Sequence, residues 1–242
     1  MRGRRPPGNR VQANFARTAH AGALFPFIML TLPFFPSIDK VSLRNQLRKR
    51  RKQLTHRQRA DAAHQVAFYA KRFLKRGKRI AGYWAVGSEL DLTPTLLYAL
   101  SRGASVFLPV IPKQGRRLWF SCVGEEDYWY IHPRYPIVEY AGKIVRAEKL
   151  DVIFVPLLGV DNDGNRLGQG GGFYDTTLAF KARHDGSYRP IIIGVAFDCQ
   201  RVEQLPCESW DMRLNILITE SGITHFHSLA RNLTLPQSEE QQ

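Results

Sequence analysis

Two stretches of this chain, Val152 to Leu158 and Pro190 to Phe197, are apolar at almost every position. A strand with one wet face alternates apolar and polar residues, so runs without alternation belong to strands covered on both faces, as in a parallel sheet. Between them lie a glycine-rich turn and a helical pattern from about Tyr174 to Arg183. The same order occurs upstream. Ile80 to Val86 reads as a strand, Thr93-Pro94 as an N-cap followed by proline at the first helical position, Gly103 as the helix stop, and Ala104 to Val110 as the next strand. Leu118 to Val123 and Leu214 to Ile218 add two more strands, while residues 124 to 147 show no period. Alternating strands and helices predict an α/β fold, a three-layer sheet with helices on both faces.

The 242 residues suffice for one large domain, and 44% hydrophobic with 23% charged residues is ordinary globular composition, which excludes collagen-like, disordered and disulfide-scaffold chains. Cys122, Cys199 and Cys207 form no C-x-x-C pair, so a reducing compartment and a cytoplasmic location are expected. The net charge of +14 is concentrated at one end. Residues 1 to 79 hold 20 lysines and arginines against Asp39 and Asp61, and the rest of the chain holds 15 against 19 acids.

Residues 1 to 38 have no acid and pass from an arginine-rich run into the apolar stretch Ala21 to Phe35. That profile resembles a targeting segment, but no small-x-small cleavage site follows and Pro26, Pro33 and Pro36 interrupt any helix, so a poorly ordered extension is expected. A single catalytic domain should span 39–230, with a tail over 231–242. From Ser37, Val41, Leu43, Leu47 and Leu54 lie among seven cations at helical spacing, predicting a basic amphipathic helix. Thr55 and Gln58 form a capping-box pair for a second helix, with Gly77 as its stop.

The segment Asp161 to Asp175, DNDGNRLGQGGGFYD, is the richest in chemistry. Glycines at four of five positions let successive N–H groups turn into one concavity, and a helix starting just beyond adds its positive end. This is an anion site suited to phosphate. A Walker loop is excluded because Asn165 and Arg166 follow Gly164, a dinucleotide fingerprint because Phe173 stands where glycine is needed, and a calcium loop because Gly172 stands at the twelfth position. Asp163-Gly164 reads as a turn.

Asp175 follows the glycines and Asp211 lies in a second acidic turn. Two carboxylates beside a triphosphate suit Mg²⁺, which takes few protein ligands, although either alone is more often a cap or turn residue. Glu89 and Asp91 follow the first strand. A carboxylate there can accept hydrogen bonds from an amino-heterocycle, with Trp84 as an aromatic wall; Trp84 could equally be core, and Asp91 a turn residue before Thr93. The seven histidines, including His225 and His227, make no metal or nucleophile pattern.

RLGQGGGFYD, Arg166 to Asp175, resembles the signature of the 5-formyltetrahydrofolate cyclo-ligase family. Lys40 and Arg44 in KVSLRNQLRKRR, Trp84 to Asp91, and Trp210-Asp211 match it in the same order. The resemblance covers about residues 40 to 222. It implies a fold similar to sugar-phosphate isomerases and CoA transferases. The implied activity is ATP- and Mg²⁺-dependent conversion of 5-formyltetrahydrofolate to 5,10-methenyltetrahydrofolate, ADP and phosphate. In it the formyl oxygen is phosphorylated, N10 attacks, and phosphate leaves. By position, Lys40, Arg44 and Arg166 become catalytic and phosphate-binding. Arg166, Leu167, Gly168, Gln169, Gly170, Gly171, Gly172, Phe173 and Tyr174 wrap the triphosphate. Gln169 to Phe173 also border the folate, opposite Trp84 and Glu89, and Asp175 with Asp211 hold Mg²⁺. Many members carry histidine where Trp210 stands and aspartate where Asn215 stands, which puts a role for position 215 in doubt.

The expected partner is the small-molecule folate, with no nucleic acid and no membrane, acting on a monomer. Two other functions fit parts of the sequence. A nucleic-acid binder would use the basic first helix but leave the glycine loop unexplained; a non-catalytic folate or nucleotide binder would explain Trp210 and Asn215.

Overall fold

The computed structural model describes residues 39–124, 128–135, 137–183, 189–208 and 210–226. The expected N-terminal extension and C-terminal tail therefore lie outside the described residues, as does His227.

Helix α1 spans Lys40–Gln53 and is started by Asp39, whose carboxylate accepts the N–H groups of Val41 and Ser42. Those two bonds hold the Asp39 carboxyl below its ordinary range. Leu43, Leu47 and Arg51, spaced by four, are the buried positions of α1. Val41, expected on that apolar face, is exposed. Helix α2 spans His56–Ala70 and begins with the predicted reciprocal box between Thr55 and Gln58. It ends in a 3₁₀ turn, Lys71–Phe73, before Gly77 turns the chain at φ +74°.

The central sheet has eight strands among the described residues: β1 (Arg79–Ala81), β2 (Ser105–Val110), β3 (Trp119–Cys122), β6 (Ile144–Val145), β7 (Val152–Pro156), β10 (Ile191–Val195), β11 (Ile216–Thr219) and β12 (Gly222–His225), in the order β12-β11-β10-β7-β1-β2-β3-β6. Five strands, β11 to β2, are mutually parallel; β12 pairs antiparallel with β11 at one edge, and at the other β3 pairs antiparallel with both β2 and the edge strand β6. The two doubly apolar runs are neighbours, with Ile193 opposite Phe154. Two small hairpins stand apart: β4 (Trp129–Ile131) with β5 (Val138–Tyr140), and β8 (Gly159–Val160) with β9 (Arg166–Leu167).

Each face of the sheet buries its own apolar cluster. Ile80, Val106, Phe154, Ile193 and Ile218 pack under Val66 of α2 and Leu96 of α3 (Thr93–Ser101). Ala81, Phe107, Ile153, Val155 and Leu217 pack on the other face with Leu178 of α4 (Phe173–Leu178), Leu150 and Met212. Burial of this kind stabilises by roughly 25 cal/mol per Å² of apolar surface removed from water.

Several boundaries differ from expectation. β1 ends at Ala81 rather than Val86, because Gly87 at φ +63° and the Glu89 N–H to Val86 carbonyl bond turn the chain there. Leu92 rather than Thr93 is the N-cap of α3, and the Asp91 carboxylate takes the Thr93 N–H at 2.9 Å, which makes Asp91 a turn residue. The helix after the glycine loop lasts six residues before tightening into a 3₁₀ segment, Ala179–Arg183. No helix among the described residues is long and apolar enough to cross a membrane.

Candidate active site

The segment that follows β7 leaves the carboxyl end of a central parallel strand, the position where open α/β sheets hold ligands. It first forms the β8–β9 hairpin. The buried Asp161 carboxylate organises that turn, accepting from the N–H groups of Asp163, Asn165 and Leu205 and from the Asn165 amide at 2.8 to 3.1 Å. Gly164 sits at φ +80°, so Asp163-Gly164 is a turn as expected.

The glycine loop comes next. Gly170 at φ +102° and Gly172 at φ +68° adopt conformations that side chains disfavour. A Cβ at Gly170 would stand 3.6 Å from the Arg44 guanidinium carbon, and one at Gly172 3.4 Å from a terminal nitrogen of Arg116. Cations thus stand close to the loop at both turns. The short α4 adds little dipole, so an anion held here would be met by the loop N–H groups and these side chains.

Arg166 lies beneath the loop with its side chain 4% exposed. It donates to Asp175 at 2.8 Å and to the Pro156 carbonyl at 3.3 Å, and its guanidinium carbon lies 5.7 Å from the Tyr174 ring centre. Its Nε and the Tyr174 hydroxyl are buried and have no hydrogen-bond partner among the described residues. Burial pushes the Tyr174 phenol well above its ordinary pKa, so it stays protonated and available as a donor.

One side of α1 faces these loops, because Lys40, Arg44, Arg48 and Arg51 recur at helical spacing. Lys40 Nζ reaches Asp211 Oδ2 at 3.0 Å and Glu208 at 3.9 Å. Arg44 Nε donates to the Gly168 carbonyl at 3.0 Å, Arg48 to Gln169 Oε1 at 3.1 Å, and Arg51 Nε to Ser88 Oγ at 3.0 Å. Gln169 passes the link on, donating to Glu89 Oε1 at 3.0 Å, while Glu89 Oε2 accepts the Val86 N–H.

Trp84 is not core. It is 44% exposed, and its ring centre lies 5.5 Å from that of Trp129, which meets Tyr140 edge-on at 5.0 Å. Phe173 meets Tyr135 edge-on at 6.1 Å. Beside them a cleft of about 330 Å³ is lined by Ile111, Lys113, His132, Arg134, Tyr135 and Phe173.

Asp175 and Asp211 are brought close through Met212, whose N–H points to Asp175 Oδ1 at 3.4 Å. Asp211 Oδ2 takes Lys40 and the Glu208 N–H. The second oxygens, Asp175 Oδ2 and Asp211 Oδ1, lie outside these bonds and could serve as the few protein oxygens that a hard cation such as Mg²⁺ takes. Among the described residues no group of three or more His, Cys, Asp or Glu forms a metal cluster. Asn215 sits elsewhere: its Oδ1 accepts the Ile192 N–H at 2.8 Å and its N–H donates to the Ile192 carbonyl, tying β11 to β10. Trp210 is exposed.

Arg48, Arg51, Arg116, Trp129 and Tyr135 join the site without having been singled out from sequence. Only Arg48 carried a signal, lying one turn beyond Arg44.

The model of the 5-formyltetrahydrofolate cyclo-ligase family matches residues 36–220. The chain is 32% identical over 189 residues to the 5-formyltetrahydrofolate cyclo-ligase of Escherichia coli K12, covering 73% of this chain and 98% of that one. It is 31% identical over 181 residues to the Haemophilus influenzae protein of the same name, covering 71% and 92%. Its structure is similar to the NMR structure of Aquifex aeolicus 5,10-methenyltetrahydrofolate synthetase, with a TM-score of 0.66 and 27% identity, covering 83% of this chain and 99% of that one.

Proposed function

The chain belongs to the 5-formyltetrahydrofolate cyclo-ligase family, and on that premise we propose that it converts 5-formyltetrahydrofolate to 5,10-methenyltetrahydrofolate at the expense of ATP, with Mg²⁺. One observation carries this reading: Gln169 of the glycine loop bonds Arg48 of the basic α1 on one side and the Glu89 carboxylate on the other, which suits a phosphate on the first side and a heterocycle on the second.

The residues present suit both ligands. The loop N–H groups, Arg44, Arg116 and the unpartnered Nε of buried Arg166 form a donor set for a triphosphate. Asp175 and Asp211 would hold Mg²⁺, which neutralises phosphate charge. Trp84 gives the folate an apolar wall, and the Glu89 carboxylate accepts from its ring N–H groups. The formyl oxygen is a poor leaving group. Phosphorylating it turns it into one, N10 then closes the ring on the activated carbon, and the oxygen departs with phosphate. Lys40, Arg44 and Arg166 stabilise the charge that grows on the transferring group. The protein acts in the cytoplasm as a monomer, without nucleic acid or membrane, and residues 39–230 are its catalytic unit.

A nucleic-acid role for α1 is disfavoured because four of its cations, Lys40, Arg44, Arg48 and Arg51, are engaged by the loops, leaving Lys49, Arg50 and Lys52 exposed. A non-catalytic role is disfavoured because Asn215 is committed to Ile192, so a missing carboxylate there takes nothing from the site. The test is turnover of purified protein with ATP, Mg²⁺ and 5-formyltetrahydrofolate, followed as methenyl absorbance. Absence of product with folded protein would refute the proposal.

A further inference from the structure

Leu43, Leu47 and Arg51 occupy one buried seam of α1, four residues apart, yet the third member is an arginine, 4% exposed. Leu43 and Leu47 pack against Leu167 and Leu205, and an apolar third residue would continue the same pattern. Burying a cation is costly unless its charge and hydrogen bonds are met. Here Nε donates to Ser88 Oγ at 3.0 Å, and the charge faces Glu89 and the phenol of Tyr83. Tyr83 is itself fixed, donating to the Leu90 carbonyl at 2.8 Å. Burial drags the Arg51 pKa below its ordinary value, with Glu89 acting against that pull.

Ser88 and Glu89 belong to the turn that ends the first βα connection, where Gly87 takes φ +63° and Glu89 folds back on the Val86 N–H. An isolated turn of this kind has few interactions to fix its side-chain directions. We propose that Arg51 is a positioning residue for the folate half of the site, holding Ser88 so that Glu89 presents its carboxylate to the substrate and to Gln169. The inference rests on the reading of Glu89 as a folate contact. It explains why a charge stands where leucine would pack, and it makes α1 serve both halves: Arg44 steadies the phosphate loop, Arg51 the turn opposite.

The test uses the full chain and the variants Arg51→Leu, Arg51→Lys, Ser88→Ala, Glu89→Gln and Arg51→Leu/Glu89→Gln. Arg51→Leu should stay folded, because leucine continues the seam of Leu43 and Leu47 and the hydrogen bond given up is the one to Ser88. Its KM for 5-formyltetrahydrofolate should nevertheless rise roughly tenfold or more while the KM for ATP stays within about twofold. Arg51→Lys should recover part of the loss, Ser88→Ala should reproduce part of it, and the double variant should be no worse than Glu89→Gln alone.

Folate affinity read directly, from quenching of tryptophan fluorescence, makes the same comparison without turnover. Parental folate affinity in Arg51→Leu, or equal losses toward folate and ATP, would overturn the proposal. If Arg51→Leu fails to fold, Arg51→Lys and Ser88→Ala decide by the same split. A parent that binds folate without turning it over removes the catalytic reading and leaves the positioning role to be judged on affinity. One that does neither removes both.

Discussion

Arg166 and Asp175 stand at the two ends of the glycine loop and meet across it, nitrogen to carboxylate oxygen at 2.8 Å. The loop is therefore closed at its base before any ligand arrives. Asp175 is thus already paired with a buried cation, and in the proposed function it takes a second task, offering an oxygen to Mg²⁺.

That double task shapes the metal prediction. Asp175→Asn should raise the Mg²⁺ requirement, because a neutral amide offsets neither the metal nor Arg166. Some activity should return at high Mg²⁺, since the triphosphate supplies ligands of its own. A rate-against-Mg²⁺ curve that superimposes on the parent's would remove Asp175 from the metal site.

Asn215→Ala should behave differently. It removes the acceptor for a buried N–H, so stability should fall by roughly 1 to 3 kcal/mol, while the Mg²⁺ curve stays in place. Thermal melting and the same titration check the two halves of the statement; a shifted curve would place Asn215 in the metal site after all.

Arg44→Ala and Arg166→Ala should each raise the KM for ATP and slow turnover by about 10- to 150-fold, the loss of a charge-assisted bond to phosphate. They should separate in stability. Arg44 is tied to one carbonyl, whereas removing Arg166 also strands Asp175, at roughly 3 kcal/mol. Kinetics unchanged in both would overturn the phosphate assignment.

Glu89→Gln keeps the shape of the side chain and removes its charge. Folate binding should weaken while ATP affinity stays nearly constant, which steady-state kinetics with each substrate varied will show. A selective fall in ATP affinity would assign Glu89 to the nucleotide half.

Acid sensitivity should arise at the opposite end of β7. Burial would raise the Asp151 pKa, but the Arg79 N–H, the Lys78 ammonium and the Arg189 guanidinium outweigh it and hold the carboxyl below its ordinary value. A depressed folded pKa gives stability that is full above the unfolded value, about 4, and lost as pH falls through the folded one. Asp151→Asn should lower the melting temperature at pH 7 and flatten its decline below about pH 4. Parallel melting curves for the two proteins across that range would contradict this.

Much of this was legible because the signals are local or strongly periodic. Thr55 and Gln58 form their box within one turn, and Val152 to Pro156 cannot be wet on either face. Of the loop glycines, Gly170 and Gly172 take the positive φ that such a run suggests. What escaped depends on distant partners. Nothing in the sequence around Trp129 says that it leans on Trp84, since β4 is short and exposed and is pinned by contacts made elsewhere. Thr93 looked like a cap because the Asp91 bond that displaces it depends on the path of the preceding turn. Arg51 read as one more surface cation in a basic run until the helix face was fixed by Leu167 and Leu205.

Lys40 and Asp211 are separated by 171 positions, and the seam of α1 closes on Leu205. At about 5 to 20 residues per second, a ribosome would finish α1 on the order of ten to thirty seconds before Asp211 is made. During that interval the helix would emerge with its leucines uncovered and its cations unanswered, a basic amphipathic segment that other macromolecules can capture. The last piece of the candidate site to be synthesised thus closes over the first, and nascent chains halted before residue 205 should present α1 to chaperones or proteases while completed chains conceal its apolar seam.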